Sequence, residues 1–300
     1  MSEVIPLAVE TARRDPPARP EYERTPETLG TIGEIQRQLT FAERLGQNAF
    51  FRRLLLLVAL GAAWQIYAVI LNNELMFPTF SATVGALWDA LVHGTLLERT
   101  LYSLKVLVIG YVLGVGLAGL LVSLSASTRF GNDLLSTLTA MFNPLPAIAL
   151  LPLALLWFGL GMPSIVFVIV HSVLWAVALN THSGFQSVSE TMRMAGQTFG
   201  LKGLRYIFGI LIPAALPAIV SGLKIGWAFA WRTLIAAELV FGASSRSGGL
   251  GWFIFENRNS LETPYVFAGL LMVILIGLAI EGLVFRTLEI HTVRKWGMQR

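Results

Sequence analysis

Arg232 stands on an otherwise apolar stretch beside Trp231 and not far from Trp227, and a guanidinium in such a place admits few kinds of chemistry. Its charge does not titrate and its donors fork toward oxyanions, so it could pair with an anionic group on a solute. The competing expectation is a structural pair with Glu238 or with another helix. His171 and Trp175, one helical turn apart, could line a path, or His171 could be a satisfied interior histidine. Lys224 reads as a side chain that snorkels to the nearest water, and Lys105 and Glu281 as residues near the ends of apolar runs.

Other chemistries lack their residues. The chain has no cysteine, which removes disulfides and thiolate metal sites. His93, His171, His182 and His291 are scattered, and no HExxH pair exists. Phe241-Gly242-Ala243-Ser244-Ser245 lacks the glycine that should follow a serine-nucleophile turn, and there is no Walker A sequence, so the chain is not expected to hydrolyse ATP itself. We therefore expect no enzyme, no metal and no cofactor on this chain.

What must position these residues is a membrane-embedded helical scaffold. Hydrophobic residues make up 55% of the chain and charged ones 13%, too few charges to cover the apolar surface in water. A crossing needs about 20 apolar residues, and the uncharged runs predict six spans, at about 54–71, 102–125, 134–157, 164–180, 214–241 and 263–285. No Asp, Glu, Lys or Arg occurs between Asp133 and Glu190; Phe158-Gly159-Leu160-Gly161-Met162-Pro163 supplies the turn that divides this run. Within the third span, Pro144, Pro146 and Pro152 remove helix hydrogen bonds. In hydrocarbon that is tolerated where protein or a watery cavity covers the backbone, so this span should face the bundle interior or a translocation path, the alternative being a static kink for packing.

Eleven Lys and Arg residues flank one side of these spans (Arg44, Arg52, Arg53, Arg129, Arg193, Lys202, Arg205, Arg286, Arg294, Lys295, Arg300) against three on the other (Arg99, Arg246, Arg258). That asymmetry predicts cytoplasmic termini in a multi-pass membrane protein, and makes the net charge of +4 a topology signal rather than a sign of nucleic-acid binding. Residues 1–50 hold 8 of the 18 acidic residues, interleaved arginines and a Pro-rich run, which predicts a disordered tail with no cleaved signal peptide. From Ile32 to Phe51 the pattern turns amphipathic and allows a short interfacial helix. Residues 291–300 form a basic tail.

Between the fourth and fifth spans lies the longest polar interruption, VSETMRMAGQTFGLKGLRYIFGILIP at 188–213. Ser187 is a candidate N-cap with Glu190 three residues later, Gly200 permits a sharp reversal, and a second short helix over 202–208 leads to Ile212-Pro213. The order Met194-Ala195-Gly196, three residues, Gly200, nine residues, then Ile210-Leu211-Ile212-Pro213 resembles the EAA loop of the membrane subunits of ABC importers. The resemblance covers most of residues 55–290. Phe77-Pro78-Thr79-Phe80-Ser81-Ala82-Thr83, Asn143-Pro144-Leu145-Pro146-Ala147-Ile148-Ala149-Leu150-Leu151-Pro152, Leu155-Leu156-Trp157-Phe158-Gly159-Leu160-Gly161, Ala236-Ala237-Glu238-Leu239 and Gly249-Leu250-Gly251-Trp252-Phe253-Ile254 are similar to the nitrate, sulfonate and taurine branch.

The resemblance implies an all-α membrane protein with the six-helix architecture of a type I ABC importer permease, a permease domain over 51–290 and a coupling loop over 187–213. Glu190, Met194, Ala195, Gly196, Gly200, Lys202, Arg205, Ile210 and Pro213 would then form the surface gripped by an ATPase. Arg232, Glu238, Trp231, His171 and Pro146 are candidates for the path or its gate; Glu238 sits where the family carries its Ala-Glu pair, which favours a gate or an interhelical bond. The loop departs from the family at Met194, where its namesake glutamate stands, and at Gly196, the second alanine. Implied partners are a second copy of the chain, two ATP-binding subunits that hold ATP and Mg, an extracytoplasmic solute-binding protein and the bilayer. The implied mechanism is alternating access, moving a small anion inward. A small aromatic or pyrimidine solute fits the same family. From another class, a secondary transporter or channel is the alternative, against which stand the loop and the lack of a visible inverted repeat.

Overall fold

The computed structural model describes residues 49–241 and 248–294. The N-terminal tail, Ser244, Ser245, Arg246, Lys295 and Arg300 lie outside the described residues. Contacts divide the chain into Met1–Leu56 and Leu57–Arg300; of the first unit the described part is the opening of one helix.

Among the described residues there is no strand. The helices are α1 (Ala49–Leu71), α2 (Phe80–Val92), α3 (Leu96–Ser127), α4 (Arg129–Phe142), α5 (Leu151–Phe158) after a 3-10 turn at Ala147–Leu150, α6 (Met162–Gln186), α7 (Glu190–Thr198) and α8 (Gly203–Tyr206). Helix α8 runs on through a wide turn at Ile207–Leu211 to Ile212–Ala214, and is followed by α9 (Leu216–Phe241), α10 (Leu250–Asn259) and α11 (Thr263–Ala279). The last helix continues as turns of π and α type to Arg294. Among the described residues four helices, α1, α3, α6 and α11 with its extension, are long and apolar enough to cross a membrane unbroken, and the count is six if each of two bent pairs is one span.

The bends change two of the expected spans. The third is α4 and α5 meeting at 87°, a broken span or re-entrant loop rather than one kinked rod. Pro144 and Pro146 sit in the break itself, and Pro146 is extended (φ −60°, ψ 121°) at the start of the 3-10 turn. Pro152 breaks nothing, because it lies in the first turn of α5, where no N–H is needed. The fifth is α9, preceded by the α8 run at 80°. Its 26 residues suffice to cross the hydrocarbon despite Lys224, Arg232 and Glu238. Other spans are longer than their uncharged cores. Helix α3 takes in Glu98, Arg99 and Lys105, because helical hydrogen bonding does not stop where the hydrocarbon does. Lys224 pairs with Glu281, so both are tied to each other rather than merely sited near water.

Besides α7 and α8 of the polar loop, α2 and α10 lie outside the six expected spans among the described residues. Helix α2 starts where Thr79 Oγ1 accepts from Ala82 N at 3.2 Å. Its neighbours hold it through Trp64 Nε1 donating to the Pro78 carbonyl (2.9 Å) and Tyr265 donating to Asp89 (2.7 Å), a bond that holds the Asp89 carboxyl below the usual carboxylate range. Helix α10 is described with the site below.

Helix α6 is the axis of the fold. Glycines let its neighbours approach: a Cβ at Gly110 or Gly114 of α3 would lie 2.6 Å from Ile169 Cγ2 or 2.8 Å from Val173 Cβ. On the other side, Gly222 and Gly226 of α9 would meet Asn180 Cβ at 2.8 Å and Val177 Cγ2 at 2.9 Å. Both pairs have the four-residue spacing by which membrane helices bring backbones together when apolar burial no longer drives them. Tyr111 donating to the Leu223 carbonyl at 2.9 Å joins α3 directly to α9.

Candidate functional site

The break between α4 and α5 opens beside α6 and α9, and there the chain leaves a cavity of about 240 Å³. Asn143 to Ala147 form one wall, His171, Ser172 and Trp175 another, and Phe229, Arg232 and Thr233 the third. The cavity thus brings together Arg232, His171 and Pro146, three of the five residues singled out for a path. Arg232 makes no ion pair among the described residues; its Nε donates to the Ala228 carbonyl at 3.1 Å and its guanidinium lies 5.1 Å from the centre of the Phe229 ring. Ser172 and Thr233, next in sequence to His171 and Arg232, share a hydrogen bond at 3.1 Å that ties α6 to α9 at the cavity. They were not picked out from sequence, though adjacency to the two candidates was a usable signal.

Trp231 turns the other way: it is 8% exposed, in the core, with its Nε1 toward Gly277 of α11. Glu238 lies elsewhere too and does not meet Arg232. It is 2% exposed and accepts from Ser103 Oγ (2.7 and 2.9 Å) and from Gly251 N (2.8 Å), while Ser103 Oγ accepts from Leu250 N at 2.7 Å. The first N–H groups of α10 have no cap of their own, since Gly249 carries no side chain. Glu238 and Ser103 supply that cap from α9 and α3. Gly249 and Gly251 make room for it: a Cβ at Gly249 would fall 2.0 Å from Glu238 Oε1, and one at Gly251 2.6 Å from Glu238 Cβ. Glu238 is thus an interhelical bond joining three helices.

The loop between α6 and α9 is built from caps. Its first helix begins at Ser189, whose Oγ accepts from Met192 N at 3.4 Å, and not at Ser187 as the capping-box spacing suggested. Because α6 runs through Gln186, the Ser187 hydroxyl is taken up with its C-terminus, donating to the Gly184 carbonyl at 2.8 Å. Arg193 reaches back to the same terminus, donating to the carbonyls of Phe185 (2.6 Å) and Val188 (3.1 Å), where a cation suits the helix dipole. At the other end Leu201 N donates to the Gly196 carbonyl (3.1 Å) and Gly200 N to the Gln197 carbonyl (2.9 Å), with Gly200 at φ +71°. That is a Schellman cap, which requires a left-handed residue at this place.

Gly196 is buried at the seam, where a Cβ would lie 3.1 Å from both Tyr206 and Ile210, so the lack of a side chain lets α7 press against the α8 run. Pro213 lies in the last turn of that run, just before the bend. Outward from this frame point Met192, Met194, Phe199, Leu204 and Phe208, with Phe199 83% exposed. Glu190, Ala195, Lys202 and Arg205 are exposed beside them.

The family described as "binding-protein-dependent transport system inner membrane component" matches residues 110–286, more than half of the chain. A protein of Methanocaldococcus jannaschii, provisionally named an ABC transporter permease, is 32% identical over 222 residues, 73% of this chain and 82% of that protein. The taurine transport system permease protein TauC of Escherichia coli is 32% identical over 163 residues (54% of this chain, 57% of that one). The nitrate import permease protein NrtB of Synechocystis is 32% identical over 174 residues (58% and 59%). All three carry the name of a transport permease. With its all-helical bundle of spans and its capped two-helix loop, the chain belongs to the binding-protein-dependent transport system inner membrane components, the multi-pass permeases of ABC importers, in the branch that includes the nitrate, sulfonate and taurine permeases.

Proposed function

We propose that the chain is the translocation subunit of an ATP-driven importer that carries a small anion of the sulfonate, taurine or nitrate type inward by alternating access. It works as a homodimer, since one subunit encloses half of a pathway. Two ATP-binding subunits dock on the loop formed by α7 and α8, and ATP with its Mg resides on them; this chain binds no cofactor. An extracytoplasmic solute-binding protein delivers the cargo. Both termini and the loop face the cytoplasm, in keeping with the clustering of Lys and Arg on that side.

The observation that carries this reading is the loop surface. Met192, Met194, Phe199, Leu204 and Phe208 are exposed on a segment otherwise polar enough to leave the membrane. Such a set of apolar side chains, rimmed by Lys202 and Arg205, suits a soluble protein partner. Met194 in place of the usual glutamate makes the grip more apolar. The short helices are tied to α6 by Arg193 and lead directly into α9, so a displacement of the partner is passed to two of the three walls of the cavity.

Affinity purification of the tagged chain from its native membranes tests this. The expected product is a complex of two permease chains with two ATPase subunits, its mass read by native mass spectrometry. Phe199→Asp combined with Leu204→Asp should release the ATPases and leave the permease in the membrane fraction. Recovery of the wild-type chain without any ATPase contradicts the reading.

A further inference from the structure

We propose that the cavity beside the α4–α5 break is a substrate-binding site of the permease itself, built for an oxyanion headgroup and covered in this conformation by Phe142. The proposal rests on the importer reading above and adds that the permease, not only a delivering protein, recognises the cargo.

Unused hydrogen-bonding capacity points to a ligand. Among the described residues His171 Nδ1 and Nε2 and Trp175 Nε1 are buried without a partner, and Trp175 is 7% exposed. Buried polar groups are nearly always paired, so orphans collected at one cavity call for a state in which they are satisfied. A neutral imidazole offers one N–H, an indole offers one, and the guanidinium of Arg232 keeps its terminal nitrogens free of described partners once Nε is used. Within the Ser172–Thr233 pair one hydroxyl donates to the other, leaving one O–H free. The cavity walls carry a cation and no Asp or Glu. Donors in excess around a single fixed positive charge select an anion, and planar or tetrahedral oxyanions match the guanidinium fork. At about 240 Å³ the space suits a small solute rather than a drug-sized one.

Phe142 is the cover. Its ring stacks on Trp175 at 5.6 Å and 11°, and meets His171 edge-on at 6.3 Å. It is also the last residue of α4, directly before the bend of 87°. A change in that bend would carry this ring away from Trp175 and His171.

The test is equilibrium binding to the intact permease–ATPase complex in nanodiscs, without a binding protein, by calorimetry with sodium methanesulfonate, nitrate and taurine, using sodium chloride as the reference salt. We expect saturable binding of at least one oxyanion. Trp175→Phe, which deletes a single N–H, should weaken it about tenfold or more, Arg232→Gln should abolish it, and Phe142→Ala should tighten it. Recovery of ATPase with each variant reports folding separately. Equal affinity for the wild type, Trp175→Phe and Arg232→Gln overturns the site, as does the absence of binding in both wild type and Phe142→Ala. Uptake of the same anions by proteoliposomes that carry the wild-type complex, with ATP and the solute-binding protein supplied, then separates the two readings: if it persists, the importer reading stands without the site, and if it is absent, that reading fails as well.

Discussion

Gly200→Val is expected to reduce solute uptake by at least about tenfold while the subunit remains inserted in the membrane. Among the described residues no neighbour lies within 4 Å of the position where a Cβ would stand, so there is no clash to relieve. The effect comes from the backbone: φ is +71°, a left-handed conformation that costs a β-branched residue about 1–3 kcal/mol. The chain escapes that strain by giving up the two bonds from Gly200 and Leu201 to the end of α7, after which the α8 run leaves its place against Gly196. Phe199, Leu204 and Phe208 then no longer form one surface. Gly200→Asn, which tolerates the left-handed region, should keep most of the uptake. The comparison is read by uptake in cells and by the amount of ATPase recovered per permease; equal values for Val and Asn would mean that the Schellman cap does not shape the grip.

The second large effect is expected at Glu238. Glu238→Ala leaves Ser103 Oγ–H and Gly251 N without their acceptor in a buried place, at a cost of about 1–3 kcal/mol for each group. It also opens a void between α3, α9 and α10. A lower unfolding temperature and a reduced yield of purified protein should follow. Glu238→Gln retains an acceptor for Gly251 N and should lose about half as much or less. Because the bond joins helices rather than touching solute, neither variant should change which anion is preferred. If Glu238→Ala unfolds at the wild-type temperature and alters solute preference, the residue belongs to the path and not to the frame.

Much of this is legible in the sequence. Gly200 announced its turn, because a lone glycine between two helical patterns has few other uses, and Pro144 and Pro146 announced a break in an uncharged run. The size of the bend was not legible, since prolines state where a helix fails and not the direction its continuation takes. Helix α10 was missed because it is short, begins after a glycine and takes its cap from other helices. Ser103 and Glu238 are 135 residues apart, and no local pattern links a serine to a distant carboxylate. The N-cap was misplaced by two residues because Ser187 and Ser189 are chemically alike, and the length of α6 decides between them. Arg232 and His171 were found by the expense of polar groups in hydrocarbon; their convergence on one cavity depended on the close approach of α6 and α9 through Gly222 and Gly226.

The most direct measurement is uptake of labelled methanesulfonate, taurine and nitrate by cells with and without this chain, with ATP depleted in a parallel set. The account predicts that deletion removes uptake of at least one of these anions, that the wild-type chain restores it only together with its ATPase subunit, and that ATP depletion stops it. Unchanged uptake of all three on deletion, or restored uptake that continues without ATP and the ATPase, would contradict it.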